Sequence, residues 1–350
     1  MKAAIMKRFR EPLEVQILSD PTPGPKDAVI RVEGCGICRS DWHLWQGDWR
    51  WVGIDVHLPL VMGHEFGGVV ESVGSEVYNF KSGDRVAVPF HMSCGHCKYC
   101  YSGYSNLCLV HGVVGVNFNG GYGRLVRVPE ATMNLVRLPN EVDFLSAAAI
   151  GCRYMTAYHG VVDQAKMCPG EWVVVFGIGG VGLSAVQVAS ALGAQVIAVS
   201  NNNKKLDMAK KEGASVIINA AEKNLVEAVK EVTNGGADIT IDALGSEQTA
   251  LPALLSLRKG GRHIQVGLTG QQEKGVIPLP VDAMVLGEIT FKGSFGCPVT
   301  SYPGLLALVA SGKLQPKRLV TNTVPVEKAG EVLSLMTNFA TVGFNIITSW

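Results

Sequence analysis

Trp172 to Ala194 reads WVVVFGIGGVGLSAVQVASALGA. A short apolar run enters a glycine turn, Gly177-Ile178-Gly179-Gly180-Val181-Gly182, and leaves it as a helix-like apolar segment. The turn fits G-x-G-x-x-G in the strand-to-helix context that the motif requires. Glycine permits the tight bend and lets the backbone approach a pyrophosphate at a helix N-terminus. A glycine-rich turn that holds no ligand has the same spelling, so context, not the motif alone, carries the dinucleotide reading. No charged residue occurs from Trp172 to Asn203, a length that can span a bilayer. The glycines, with Gly193 after them, make it a buried strand, turn and helix instead.

Downstream the alternation continues. QVIAVS is a second strand and KKLDMAKKEGA a second helix; SVIINA, ADITIDAL, GRHIQVGL and EITFKGSF follow as apolar strands between helical or glycine-rich segments. Strands alternating with helices predict a parallel sheet covered on both faces, a doubly wound α/β domain of Rossmann type. The last stretch holds two helices, YPGLLALVASG and VEKAGEVLSLMTNF, and a terminal strand, FNIITSW. These do not extend the repeat and are expected to return to the first domain. Upstream, the first 150 residues or so carry short alternating runs such as AVIRVEG and GGVVESVG and predict an irregular, mostly β domain.

The strand QVIAVS ends at Ser200, where NAD-binding proteins usually place an acidic residue against the ribose 2′-hydroxyl. Here the run is Ser200-Asn201-Asn202-Asn203-Lys204-Lys205, without a carboxylate to repel a 2′-phosphate. That charge pattern leans towards NADP(H). The bland alternative is that Lys204 and Lys205 simply open the next helix in solvent.

The bulk numbers agree with two domains of ordinary size: 350 residues, 47% hydrophobic, net charge +1 with no long run of one sign. Nucleic acid and anionic membrane are poor partners for such a surface. The segment MKAAIMKRFREPLEV is charged too early for a signal-peptide core, which points to a cytoplasmic chain. Nine cysteines then read as thiols and metal ligands rather than disulfides.

Four of them, Cys94, Cys97, Cys100 and Cys108, fall in SCGHCKYCYSGYSNLC with the spacing C-x2-C-x2-C-x7-C. Four thiolates this close satisfy tetrahedral Zn²⁺ and close the site, so this zinc holds structure. A looser set, Cys38, His64, Glu65 and Cys152, lies around it. By spacing alone, these residues are equally well buried thiols and a core histidine. Cys35, Cys168 and Cys297 fit neither set and read as small buried hydrophobes.

GHEFGGVVESVG, CRSDWH, the four-cysteine lobe, GIGGVG and the later Cys152 together resemble the zinc-dependent alcohol dehydrogenases of the medium-chain dehydrogenase/reductase family, in order and over essentially the whole chain. The resemblance implies a GroES-like mostly-β catalytic domain, residues 1–153 and 297–350, and a Rossmann domain, residues 154–296. It implies Cys38, His64 and Cys152 as ligands of a catalytic zinc with an open fourth position. Glu65 is then the carboxylate that can approach that zinc, and Asp41 the partner that orients the ligand histidine. Ser40 resembles the hydroxyl beside the substrate oxygen and His43 the outer end of a proton relay. Arg39 resembles the arginine on the cofactor pyrophosphate, Thr156 a residue against the nicotinamide, and Trp49 and Phe90 substrate-pocket aromatics.

The implied reaction is reversible oxidation of a primary or secondary alcohol to an aldehyde or ketone, with hydride passing to NAD(P) and two zinc ions per chain. The implied assembly is a homotetramer, because the longer insert that follows the lobe in dimeric animal relatives is missing. Cys152, where polyol and threonine branches use glutamate, favours simple alcohols. Two departures stand out. Phe344, in ATVGFNII, stands where relatives often carry a phosphate-binding arginine, and WRWVGIDVH between Trp49 and the His64 motif is an expansion.

Overall fold

The computed structural model describes residues 1–48, 53–54, 56–110, 112–222 and 224–350. These divide into two units: Met1–Met155 with Gly296–Trp350, and Thr156–Phe295. In chain order the strands are β1 (Lys2–Met6), β2 (Glu14–Ile17), β3 (Ala28–Ile37), β4 (Leu60–Val61), β5 (Glu65–Val73), β6 (Arg85–Val88), β7 (Leu125–Val128), β8 (Val136–Arg137), β9 (Trp172–Phe176), β10 (Gln195–Ser200), β11 (Val216–Asn219), β12 (Ala237–Asp242), β13 (Leu257–Gln265), β14 (Thr290–Gly293), β15 (Val320–Pro325) and β16 (Phe344–Ser349).

The second unit is built on one sheet of order β11-β10-β9-β12-β13-β14, with every pairing parallel. Val173, Val174, Val175 and Phe176 of β9 are all fully buried, because a central parallel strand has helices on both faces. Burying each such side chain contributes on the order of 2 kcal/mol. The order reverses between β9 and β12, and their carboxyl ends therefore form the switch point at which such sheets bind ligands. The chain reaches that point at Gly177, directly after β9.

In the first unit β3 is the hub. It pairs with β5 along most of its length, with β7 at Ala28–Arg31 and with β16 at Cys35–Ile37. The sheet runs β15-β16-β3-β5-β6-β8, and a smaller sheet runs β2-β1-β4. Through β15 and β16 the C-terminal segment joins the first unit's sheet. The helix Phe144–Ala149, capped by Asp143 accepting from Ser146 N–H at 2.7 Å, lies on β3 and β5. It approaches closely because Gly67 has no side chain: a Cβ there would meet Ala147 Cβ at 2.6 Å. The helix then widens into a π turn, Ile150–Tyr154.

The division between units falls after Met155, two residues beyond the sequence boundary. Tyr154 and Met155 are fully buried, and the Tyr302 hydroxyl bonds to Met155 Sδ within the first unit. Gly296 also belongs to the first unit, packed on Phe90 and His91. No helix among the described residues is long and apolar enough to cross a membrane.

Candidate functional site

Cys38 follows the end of β3 and His64 precedes the start of β5. Because Gly36 pairs with Glu65, the two ligand-type residues emerge side by side at one end of the sheet. Cys152 comes to them on the π turn, a local widening that recurs at functional sites. Potential ligand atoms of Cys38, His64 and Cys152 lie within 4.8 Å of one another, and all three residues are buried.

The helix Arg39–Gln46 starts at Cys38 and fixes the rest of the arrangement. Asp41, in its first turn, accepts the Cys38 N–H at 2.9 Å on Oδ2 and faces His64 Nδ1 at 2.9 Å with Oδ1. The Tyr122 hydroxyl donates to Oδ2 at 3.2 Å. Asp41 therefore holds the proton on Nδ1 and turns the Nε2 lone pair of His64 into the cluster. Nε2 is buried and has no hydrogen-bond partner. A buried imidazole nitrogen without a partner, facing two thiols, fits a bound Zn²⁺ and is costly without one. A hydrogen bond from Cys152 holds the Cys38 thiol well below its ordinary value, and the same bond holds Cys152 above it.

Ser40 Oγ stands 3.7 Å from Cys38 Sγ. His43 Nδ1 lies 2.8 Å from Asp48 Oδ2. Burial lowers the His43 pKa against the pull of Asp48. The Phe90 ring meets the His64 ring edge-on at 5.8 Å. Trp49, with Arg50, Trp51, Val52 and Asp55 of the expansion that follows it, lies outside the described residues.

Glu65 is fully buried and turned onto Arg153. Burial pushes its carboxyl above the ordinary range while Arg153 pulls it back. Burial also opposes the charge on Arg153, but Glu65, with Cys38 and Cys152, outweighs it and holds the guanidinium up.

Arg39 donates to the Met336 carbonyl and lies 3.6 Å from the Trp42 ring centroid and 4.2 Å from that of Phe339. Burial lowers its pKa to about 10.

In the four-cysteine lobe the sulfurs also lie within 4.8 Å of one another. Cys97 and Cys100 are 3.5 Å apart, and Cys108 Sγ accepts N–H groups of Cys94 at 3.3 Å and Val110 at 3.4 Å. Backbone N–H groups, that of Leu109 foremost, bring Cys97 down to about 6. Such N–H···S bonds stabilise thiolates, the form in which cysteine binds zinc.

In the second unit Gly177 has φ +86°, a left-handed value. A Cβ on Gly182 would strike the Gly177 carbonyl at 2.0 Å, so the turn itself demands that glycine. Gly179 differs: a Cβ there would meet no protein atom within 4 Å. The chain leaves room in front of the helix Gly180–Ala191, which fits a pyrophosphate. Thr156 is buried in the helical run Met155–Tyr158. Ser200 Oγ accepts Asn202 N–H at 3.2 Å, and Asn202 caps the helix Asn203–Lys211. Asn201 and Lys204 are exposed, and Lys205 is half-buried in the first turn of that helix.

One sequence expectation is corrected. Cys168 is exposed in the turn before β9, its N–H donating to Glu171 at 2.8 Å, whereas Cys35 and Cys297 are fully buried. Phe344, the departure noted in the sequence, packs inside the first unit. It starts β16, is fully buried, and lies with its ring centroid 3.7 Å from the Arg153 guanidinium.

Arg153, Tyr122 and Asp48 escape a sequence reading. Arg153 carries a signal, as the single charged residue between Asp143 and Asp163, directly after a ligand-type cysteine. Tyr122, in GGYGR, carries none, because its contact with Asp41 spans 81 residues.

Residues 24–140 match the alcohol dehydrogenase GroES-like domain, and residues 180–311 match the zinc-binding dehydrogenase family. An alcohol dehydrogenase of Geobacillus stearothermophilus is 35% identical, the match covering 96% of each chain. An NAD-dependent alcohol dehydrogenase of Sulfurisphaera tokodaii is 34% identical, the match covering 99% of each chain. Among solved structures, the alcohol dehydrogenase TADH from Thermus sp. ATN1 superposes with a TM-score of 0.92, 34% identity and full coverage of both chains.

Proposed function

This chain belongs to the zinc-dependent alcohol dehydrogenases of the medium-chain dehydrogenase/reductase family, and on that premise we propose how its residues divide the work. The activity is the reversible oxidation of an alcohol to an aldehyde or ketone with NAD(P). The observation that carries the site assignment is the buried Cys38–His64–Cys152 trio, with Asp41 behind His64 and Nε2 left without a partner.

In our reading these three residues hold the catalytic zinc, and Cys94, Cys97, Cys100 and Cys108 hold a structural one. Zinc supplies Lewis-acid polarisation of the substrate oxygen, and the nicotinamide supplies the hydride partner. Ser40 takes the hydroxyl proton of the alcohol. His43, braced by Asp48, passes that proton outwards. Phe90 lines the apolar side of the substrate space, and Trp49 is proposed to do so with it. Gly177, Gly179, Gly180 and Gly182 receive the pyrophosphate, Arg39 provides a cation for it, and Thr156 packs on the nicotinamide. The first unit is proposed as the catalytic domain and the second as the dinucleotide domain.

The finer proposals are NADP(H) as the preferred cofactor, a cytoplasmic homotetramer, and a simple primary or secondary alcohol as substrate. Ser200, with Asn201, Lys204 and Lys205 beyond it and no carboxylate among them, supports the first. The Sulfurisphaera relative is named NAD-dependent, so Ser200 and its neighbours are where this chain would depart from it.

The test is an alcohol and aldehyde panel with both cofactors, alongside metal analysis. We expect two zinc ions per chain, and turnover lost in Cys38→Ala while the fold and cofactor binding persist. Alcohol oxidation by a Cys38→Ala protein that lacks this zinc would overturn the assignment.

A further inference from the structure

Glu65 directly follows one proposed zinc ligand and Arg153 directly follows another. Both are fully buried, and they bind each other. Glu65 Oε1 accepts the Arg153 backbone N–H at 2.9 Å and Nε–H at 2.9 Å. Oε2 accepts Nε–H at 2.9 Å and also an Nη2–H. Both carboxylate oxygens are therefore committed to one residue.

The surroundings are shaped to hold this pair. Gly36 stands opposite Glu65 in the β3–β5 register, and a Cβ on it would lie 2.0 Å from Glu65 Oε2 and 2.9 Å from Arg153 Nη2. A Cβ on Gly151 would lie 2.9 Å from Glu65 Cα. The other side of the guanidinium is covered by the Phe344 ring. Backbone, glycines and ring together leave the carboxylate one pose.

We propose that Arg153 is a positioning residue that holds the Glu65 carboxylate on itself and out of the zinc ligand set, so that substrate meets three protein ligands rather than four. This rests on the reading of Cys38, His64 and Cys152 as zinc ligands. The chemistry requires such a restraint. A buried carboxylate one residue from a ligand histidine is a good zinc ligand, and a fourth protein ligand closes the site as the lobe closes its own. Arg153 also balances the Glu65 charge, since two thiolates already neutralise the zinc.

Cobalt(II) substitution tests this directly, because its visible spectrum reports ligand number. Spectra are recorded for wild type, Arg153→Gln and the Arg153→Gln/Glu65→Gln double variant. Difference spectra cancel the contribution of the four-cysteine site. Imidazole binding to the cobalt protein is titrated in parallel.

We expect Arg153→Gln to change the spectrum towards an added oxygen ligand and to weaken imidazole binding about 10- to 100-fold. The double variant should restore both. An Arg153→Gln protein with wild-type spectrum and imidazole affinity overturns the proposal. So does a change that Glu65→Gln fails to reverse, because Arg153 would then act on the fold and not through Glu65. If Arg153→Gln does not fold, Arg153→Lys serves in its place, with a smaller change in the same direction expected and no change overturning the proposal. A wild type that oxidises no alcohol, yet gives the change and its reversal, overturns the alcohol dehydrogenase reading alone.

Discussion

Ser200 is the residue on which we propose that cofactor choice turns. Its hydroxyl accepts the Asn202 N–H, so it offers a short polar surface and no charge at the end of β10. A carboxylate roughly 5 Å from a 2′-phosphate costs about 3 kcal/mol per unit charge at an effective dielectric near 20, before screening. Ser200→Asp should therefore lower the NADP/NAD ratio of kcat/KM by about tenfold or more. An unchanged ratio would remove Ser200 from the cofactor site. At this scale the sequence is legible only where chemistry constrains residue type. Thiols and imidazoles declare themselves, and the four-cysteine spacing is specific without help. Ser40, Asp41 and His43 are legible only through family resemblance, since a serine, aspartate and histidine within four positions have no chemical signature of their own. Tyr122 and Asp48 stay hidden because their roles are contacts, and a contact has no local spelling.

The lobe is the element whose function is most separable from the chemistry. Its sulfurs cluster near the surface, beside exposed Tyr101 and Leu109, and its helical pieces are the short helix Lys98–Tyr101 and the 3-10 turn Ser105–Leu107. Such short helical pieces do not hold themselves in water, so the proposed structural zinc would supply the order. Cys100→Ser should lower the melting temperature by roughly 5 °C or more, about what ~2 kcal/mol does in a unit of this size. Turnover measured well below that transition should survive. A folded variant that retains the other zinc and has lost activity would show that the lobe takes part in catalysis. The π turn Ile150–Tyr154 behaves differently. It is a local departure inside an apolar run, AAAIGCRYM, whose pattern reads as plain helix. The widened turn that presents Cys152 lies against β5 and carries the Arg153 partner of Glu65, contacts that the pattern does not encode.

Across the whole molecule, the parallel sheet is legible because β9 and β10, at its centre, are apolar on both faces and so appear as unbroken runs. The first unit's order is not, since β3 draws its partners from residues 65–73, 125–128 and 344–349. Global stability is also a whole-molecule property, and one buried group gives it a pH dependence. His263 in β13 is buried against the Phe291 ring, 5.0 Å between centroids. Its Nε2 lies 3.1 Å from Gln265 Oε1, and its Nδ1 lies 2.9 Å from Thr240 Oγ1. The Gln265 amide cannot turn over without loss, because its Nε2 donates to Asp242 Oδ2 and to the Gly267 carbonyl, each at 2.9 Å. The neutral ring with its proton on Nε2 therefore satisfies both neighbours. Burial lowers the pKa below the ordinary 6.5, although Gln265 and Asp242 oppose it. The unfolded chain thus takes up this proton at a higher pH than the native protein does. Stability rises with pH wherever the unfolded state binds more protons, so this contribution is intact above the unfolded pKa and is lost as pH falls below it. Between about pH 7.5 and pH 5, the wild-type unfolding free energy should fall more steeply than that of His263→Gln, which removes the titrating group. At the upper end the variant should be the less stable of the two, by about 1 kcal/mol. Denaturant unfolding of the metal-loaded protein at matched pH values measures both. Parallel slopes would mean that the folded protein protonates His263 as readily as the unfolded chain does.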